Sequence, residues 1–566
     1  MLQECGMRGY LLGILAAAAL GCLSCSGRGA GHGPSIPPTQ VTLFALGELR
    51  GQIEPCGCTT DPLGDLARTA ELVSQARARG PVVVVDTGSL LYSQPVVAAQ
   101  ARPQEDLKAD LIATIYRDQL AVAAVGLGPH DLAAGPGQTR LPRQVANLPA
   151  SAGIALDPPK VIDLGGARLG VFGVIDPALV PTLGATDPIA AATAAIAGLQ
   201  KDKATLIVAL ASMSKKDAIK LARTVPGIDV LVIGAGLEAP RPEQVTASAE
   251  QVGTTWVLVP TDRGQVVSRL ELTLRGAGPL VDAVGAEAAV GRKQELEARV
   301  ARLDEQLAAW AADPTADPAF VAARKQEREQ LAAEATALTA NPERVPARGS
   351  YFELAQIRIA KILACDTRVV TAKQEYARAS GVANVKAAAA IPPVPVPKGA
   401  ATYVGVEACA DCHEDAVTFW RKSRHAGAWR TLEKVDKQFD YDCTGCHVTG
   451  WAQPGGASMA SVEAGATLRD VQCETCHGPG SIHVDADDED AKKTIQLAPP
   501  HDLCANQCHT REHSDTFEWT PYMRDVLGPG HGEHAVKEFG PGPTGRELRK
   551  AGLAKAGAVI GAGCPK

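Results

Sequence analysis

Cys409-Ala-Asp-Cys412-His413, Cys443-Thr-Gly-Cys446-His447 and Cys473-Glu-Thr-Cys476-His477 repeat one pattern three times in the last third of this 566-residue chain. A fourth stretch, Cys504-Ala-Asn-Gln-Cys508-His509, keeps the pattern with one more residue between its cysteines. Cys-x-x-Cys-His is the attachment motif for c-type haem. Its two thiols form thioethers to the porphyrin, and the following histidine becomes an axial iron ligand. Paired cysteines also serve zinc sites and disulfides, but neither needs a histidine directly after the second cysteine. Here that histidine is present four times out of four. The pattern predicts three to four covalent haems c. Cys409, Cys412, Cys443, Cys446, Cys473, Cys476, Cys504 and Cys508 are the expected attachment points, with His413, His447, His477 and His509 on the irons. The wider spacing of the last motif leaves open whether it attaches haem at all, and by one thioether or two.

Histidine usage points the same way. Of 12 histidines, ten lie after residue 400. Beyond the four motif histidines this leaves His425, His483, His501, His513, His531 and His534, enough for a second ligand on every iron, while only Met459 and Met523 lie in this region. Bis-histidine ligation is the expectation, and without methionine to raise the potential the haems should be mostly of low potential. His501 and His513, in polar loop-like sequence, read as surface residues.

Working outward, the length allows two or three domains. The net charge is −7. With no basic cluster and no interleaving of basic and aromatic residues, nucleic-acid binding is not expected. At the N-terminus Arg8 precedes an apolar run, Tyr10–Leu20, that ends in Gly21-Cys22-Leu23-Ser24-Cys25. That is the pattern of an export signal, too short for a comfortable membrane span. A cysteine after small residues suggests lipid attachment at Cys22 or Cys25. Residues 1–25 are read as the signal and 26–40 as a Gly/Ser/Pro-rich tether. The membrane is expected only through that anchor, and export suits haem attachment, which takes place outside the cytoplasmic membrane.

From residue 41 onward, apolar strands alternate with helices. Val41–Leu46, Pro81–Asp86, Leu120–Val125, Leu169–Val174, Thr205–Leu210 and Val230–Ile233 read as buried strands, and Leu66–Arg79 as a helix. Near-continuous apolar runs separated by helices predict a layered α/β domain over 41–283. Between 284 and 340, Leu296, Val300, Leu303, Leu307 and Trp310 recur at alternating spacings of four and three, and a break at Asp313–Pro318 predicts a helical hairpin. It can close on itself or mediate dimerisation. Residues 341–381 complete the N-terminal part. The Ala/Pro-rich stretch 382–401 is expected to be an extended linker. Residues 402–566 form the haem domain, mainly α-helical, with too little protein around three or four haems for an ordinary core.

Several motifs at the strand ends resemble the calcineurin-like metallophosphatase fold, in particular the exported 5′-nucleotidase/UDP-sugar hydrolase group. They are Leu46-Gly-Glu-Leu-Arg-Gly51, Gly64-Asp-Leu-Ala-Arg68, Asp86-Thr-Gly-Ser89, Gly128-Pro-His-Asp131 and Ile228–Gly234. The departures from the family pattern are as informative. Glu48 and Arg50 stand where its first Asp and His belong, Ser89 where a bridging Asp belongs, and Pro129 where an Asn belongs. Met213 and Ala235-Gly236-Leu237 replace histidines, and only His130 and Asp131 remain. So many missing ligands leave no two-metal site, and the resemblance implies a scaffold without phosphatase activity. A loop Glu54-Pro-Cys56-Gly-Cys58 similar to one in a related exported branch implies thiol or soft-metal chemistry, or structural cysteines. Cys365 and Cys564 show no partner in the sequence.

The C-terminal third resembles the tetrahaem cytochrome c-554 family. The resemblance is carried by Trp420-Arg-Lys-Ser-Arg-His425-Ala, by Cys446-His447-Val-Thr-Gly450, and by Val471-Gln-Cys473-Glu-Thr-Cys476-His477-Gly-Pro-Gly-Ser-Ile-His483. It implies that His483 is a distal ligand to the first haem and His425 to another, with His531 or His534, after Gly528-Pro-Gly530, as candidates for a third. It also implies that the iron beside His447 can stay five-coordinate. The expected function is electron transfer between unidentified redox partner proteins. The alternatives are a redox enzyme acting on a small nitrogen or sulfur compound at an open haem, and an active nucleotidase fused to a cytochrome.

Overall fold

A computed structural model describes residues 38–55, 59–276, 278–311, 318–340, 345–465, 467–510, 512–556 and 564. The expected signal, lipidation sites and most of the tether lie outside these residues, as do Cys56 and Cys58.

Two six-stranded sheets form the N-terminal domain. The first is ordered β13-β14-β12-β1-β2-β3 and the second β10-β11-β9-β8-β7-β6, with β4-β5 a separate pair. The strands are β1 (Thr39–Leu46), β2 (Val82–Asp86), β3 (Ala124–Val125), β4 (Arg143–Gln144), β5 (Leu156–Asp157), β6 (Lys160–Asp163), β7 (Arg168–Ile175), β8 (Leu206–Ser212), β9 (Val230–Gly234), β10 (Glu250–Val252), β11 (Thr255–Leu258), β12 (Val266–Leu274), β13 (Val281–Asp282) and β14 (Tyr351–Arg358). The expected strand over 120–125 keeps only its last two residues, because Leu120 closes the preceding helix through its N–H to the Ile115 carbonyl.

Side-chain alternation stacks the layers. Leu43 and Ala45 of β1 face Leu169, Val208 and Val230 of the other sheet in one shared core. Phe44 and Leu46 point the other way, onto α1 (Leu66–Arg77), α2 (Arg102–Asp118) and α7 (Thr367–Ala388). On the far side, Phe172, Ile207 and Leu231 pack against α3 (Pro188–Lys201) and α4 (Lys215–Thr224). The result is helix, sheet, sheet, helix, and each central strand is buried on both faces, which is why its sequence is a continuous apolar run. β1, β2 and β3 pair in parallel, as do β7, β8, β9 and β11, whereas β12 runs antiparallel to β1 and β14. Parallel strands end on the same edge, so the loops after β1, β2, β3, β8 and β9 are gathered there.

The hairpin forms within the chain from α5 (Ala286–Ala311) and α6 (Pro318–Ala340), with Leu303 and Leu338 buried and Trp310 edge-on to Phe320 at the far end. α7 runs to Ala388, well into the stretch expected to be extended. Its alanines favour the helix, and the helix stops only before the Pro392-Pro393 pair. Cys365 and Cys564, which showed no partner in the sequence, form a disulfide with Cα atoms 5.5 Å apart.

Residues 402–556 consist of short helices and turns around one small apolar cluster of Trp429, Val448, Ala457, Val462 and Leu468. From Pro38 onward the chain forms one compact unit. Among the described residues no helix is long and apolar enough to cross a membrane.

Candidate haem centre

The third motif forms a single helical turn, Cys473–His477, which ends at Gly478 with φ +80°. Its inner residue Glu474 is 2% exposed and holds the first motif in place. The Glu474 carboxylate accepts from the backbone N–H groups of Val404 (2.9 Å), Gly405 (2.8 Å) and Gly480 (2.7 Å). Gln472 adds an acceptor for the Val406 N–H at 2.6 Å. Two residues between cysteines carry no signal in a motif search, and nothing in the sequence marks Glu474 or Gln472 as the clamp between two motifs.

Cysteines of different motifs meet in pairs. Cys409 lies within hydrogen-bonding reach of Cys473, which together with burial pushes the Cys409 thiol up, while the same contact lowers Cys473. Cys508 and Cys446 are paired likewise, and Cys446 also meets the Gln507 carbonyl at 3.5 Å. Burial, with Cys504 and Cys473 nearby, pushes Cys476 up to about 12. Zinc needs several thiolate or imidazole ligands converging on one point. Among the described residues no group of three or more His, Cys, Asp or Glu does so.

The histidines meet across motifs. The His413 and His483 rings have centroids 6.3 Å apart with planes at 14°. His425 and His509 stand 6.4 Å apart. A metal–imidazole bond of about 2 Å, with the ring centre about 1.1 Å behind the nitrogen, sets two imidazoles on opposite sides of one metal roughly 6.2 Å apart. Both pairs therefore have the spacing that one iron between them requires. His531 lies against Phe419 with ring centroids 6.4 Å apart, and burial first, then the charges of His477 and His413, lower it. His534 is exposed on the surface helix Glu533–Glu538. Among the described residues no second histidine ring stands at that distance from His447 or from His477. His501 rests against Trp519 at 4.5 Å, and His513 meets Thr510 Oγ1 at 2.7 Å.

The other ring nitrogen decides what each imidazole can do. His447 Nδ1 lies 2.7 Å from the Ala428 carbonyl, His477 Nδ1 2.7 Å from that of Gln496, and His483 Nδ1 2.9 Å from that of Ala491. A carbonyl only accepts, so Nδ1 must donate, and Nε2 keeps the lone pair that binds metal. This orienting bond is the usual support of a metal-bound histidine. His509 Nδ1 has Ser514 Oγ at 3.1 Å, and Phe517 stacks on its ring at 4.9 Å. Burial, and then His425, lowers His509 to about 4, which keeps it neutral and able to ligate. Desolvation lowers His425 as well. The residues present fit haem.

At the strand edge of the N-terminal domain the chemistry is different. Arg50 Nε lies 3.0 Å from Glu48 Oε2, and the same guanidinium meets the Gly236 carbonyl and stands 3.8 Å from Asp262. A fixed organic cation thus sits among the loops where the resembled family holds its metals. Asp131 is fully buried. It accepts from the N–H groups of Ser89, Leu90, Leu91 and Gly128 and pairs with buried Arg143 at 3.1 Å. His130 is held near 4 by burial and by Arg50, and its Nδ1 is buried without a partner. Glu48, Arg50 and Ser89 all have left-handed backbone, with φ of 53°, 49° and 55°. Strain of this kind gathers at functional sites, and here the fold keeps the shape of such a site around an internal ion pair.

The two regions join through buried polar contacts next to the second motif. Gln104 of α2, fully buried, donates to Asp440 at 2.8 Å and accepts from the Tyr441 N–H at 2.9 Å and from Asn384 Nδ2 at 2.7 Å. Lys108 bridges Glu105 at 2.5 Å and Asp442 at 2.9 Å. Lys437 pairs with Glu54, and Glu54 also holds Lys373 at 3.1 Å. Farther along, Thr60 N–H donates to Asp515 at 3.0 Å and Arg263 meets Glu512 at 2.8 Å.

Comparison with known proteins agrees with this division. The profile of the family described as "Cytochrome c554 and c-prime" matches residues 408–478. Cytochrome c-554 of Nitrosomonas europaea is 36% identical over 95 residues, covering 14% of this chain and 40% of its own length. That family implies covalently bound c-type haem. Among solved structures, a 5′-nucleotidase precursor from Thermus thermophilus is 18% identical with a TM-score of 0.41, covering 60% of this chain and 58% of that one. The calcineurin-like phosphoesterase YfkN from Bacillus subtilis is 19% identical with a TM-score of 0.34, covering 43% of this chain and 87% of that one. The C-terminal part of the chain thus resembles the cytochrome c-554 family, and it is carried on a layered α/β domain whose neighbours among solved structures are nucleotidases and phosphoesterases.

Proposed function

We propose that this chain is an exported multihaem c-type cytochrome that passes electrons between redox partner proteins. The observation that carries the reading is the pairing of His413 with His483 and of His425 with His509 at the spacing of two ligands on one iron. Haem iron supplies one-electron chemistry when bound. The protein holds and orients it. Cys409 and Cys412, Cys443 and Cys446, Cys473 and Cys476, and Cys504 and Cys508 are the attachment pairs. His413 with His483 and His509 with His425 would hold haem iron between them, and half-buried His531, rather than exposed His534, would serve a third iron. Carbonyl-anchored Nδ1 atoms keep His447, His477 and His483 in the ligating tautomer. A pairing partner for His509 supports haem at the fourth motif despite its longer spacing. A disulfide and an export-type N-terminus both suit an oxidising compartment, and a lipid at Cys22 or Cys25 would hold the protein at a membrane surface. The phosphatase-like domain is a catalytically silent scaffold, supported by Arg50 standing among the old ligand positions.

A pyridine haemochrome assay with intact mass, on protein matured in an exporting host, tests this. Four covalent haems are expected. Three would leave Cys504 and Cys508 without haem, and none would end the cytochrome reading. A second reading, redox chemistry on a small nitrogen or sulfur compound, is favoured by one observation: among the described residues no histidine ring pairs with that of His447, although its Nδ1 is anchored on the Ala428 carbonyl. A high-spin signal that shifts with nitrite or cyanide, and disappears in a C443A/C446A variant, would support it.

A further inference from the structure

The buried junction between the two regions converges on one of the four motifs. Asp442 directly precedes Cys443, the Cys443 N–H donates to the Asp440 carbonyl at 3.0 Å, and the Asp440 N–H donates to the Lys437 carbonyl at 3.1 Å, so one short turn carries all three charges up to the motif. Each of these three charges from the haem region is answered by the phosphatase-like domain. Gln104 donates to Asp440 at 2.8 Å, Lys108 meets Asp442 at 2.9 Å, and Glu54 pairs with Lys437. Most of the set is withdrawn from water. Gln104 is 0%, Lys108 5% and Asp440 7% exposed. The Lys437 and Glu54 side chains keep 22% and 28%. Asp442 is the outlier, with 56% of its side chain accessible, so solvent screens it more than the others.

We propose that the phosphatase-like domain sets the reduction potential of the haem carried by Cys443, Cys446 and His447, with Glu54, Lys108 and Gln104 as positioning residues that fix the charges beside it. The inference rests on the haem reading above. Reduction adds an electron to the haem, so a nearby positive charge favours the reduced form and a negative charge the oxidised form, and both act strongly where water is excluded. Glu54 neutralises Lys437, while Lys108 neutralises Asp442. Removing one or the other must move the potential in opposite directions. An interface serving only to glue two domains together would lower stability in both cases and leave the potential where it was.

The test uses the full haem-loaded chain in a spectroelectrochemical titration. Haem content of every variant is checked by pyridine haemochrome, and the haem in question is assigned by difference from a C443A/C446A variant. E54Q leaves Lys437 unanswered and should raise the reduced-to-oxidised ratio of that haem about threefold at fixed potential. K437Q should lower it by a similar factor, and K108Q should lower it by less because Asp442 is screened. K108R should restore the wild-type value. Unchanged potentials in fully loaded variants, or shifts of E54Q and K437Q in the same direction, overturn the inference. Wild-type protein without covalent haem overturns the underlying reading instead, and the haem count separates the two failures.

Discussion

In the N-terminal domain, Leu43, Phe44 and Ala45 of β1 and Val230 to Ile233 of β9 are all 0% exposed, packed into cores that extend through both sheets. Between 402 and 556 the buried apolar cluster is five residues around Trp429 and Val462, and beside it stand half-buried cysteines and histidine rings spaced 6.3 and 6.4 Å apart in pairs. One region is stabilised by its own side chains. The other brings together residues that would hold haem. Backbone-anchored imidazoles and the Glu474 clamp hold positions there that packing alone would not fix.

The largest effect should come from removing the attachment points of the proposed haems. Changing all eight motif cysteines to alanine should abolish hydrogen-exchange protection over 402–556 while β1, β2 and β7–β9 stay protected. Full protection of both regions would break the comparison. A deletion inside the sheet core is the converse. F44A should cost about 3–5 kcal/mol in chemical denaturation and leave the haem count unchanged. At the junction, K108Q leaves Glu105, which is 2% exposed, buried without its cation. A loss of about 3 kcal/mol follows from breaking a buried pair on one side, whereas R328Q, in the exposed Arg328–Asp304 pair of the hairpin, should leave the denaturation midpoint where it is.

The smallest effect depends on pH. Burial alone would raise Glu54, but Lys437 and Lys373 overcome it and hold the carboxyl at about 2, against 4.5 ordinarily. Its folded value is depressed, so the stability it adds is complete above pH 4.5 and is lost as pH falls through about 2. With 28% of the side chain exposed, about 2 kcal/mol is expected after discounting for solvent. The stability gap between wild type and E54Q should close over that window, and a gap independent of pH would show that Glu54 acts through packing.

The central strands were legible because burial on two faces leaves an unbroken apolar run, and the hairpin because its spacing is helical. Short edge strands such as β10 and β13 carry too few residues for a pattern. The antiparallel return of β14 onto β12 depends on pairing over a long sequence separation. In the haem region the motif cysteines and histidines were set by spacing alone. His483 and His425 came from family resemblance, and the structure brings each opposite a motif histidine. The carbonyls of Ala428, Gln496 and Ala491 that orient the imidazoles were out of reach, since every residue has a carbonyl and only the fold selects which one is used. Gln104 and Lys108 belong to no motif, and only their burial against another region distinguishes them.

The Cys365–Cys564 bridge joins positions 199 residues apart, and the whole haem region lies between them in sequence. The exposed stretch from Ile391 to Ala400 lies inside the same loop. A protease that cuts there severs the main chain without releasing either product: the fragments migrate as one species until a reductant is added. In an environment rich in proteases, this covalent ring keeps the C-terminal region attached to the N-terminal domain after the chain connecting them has been cut.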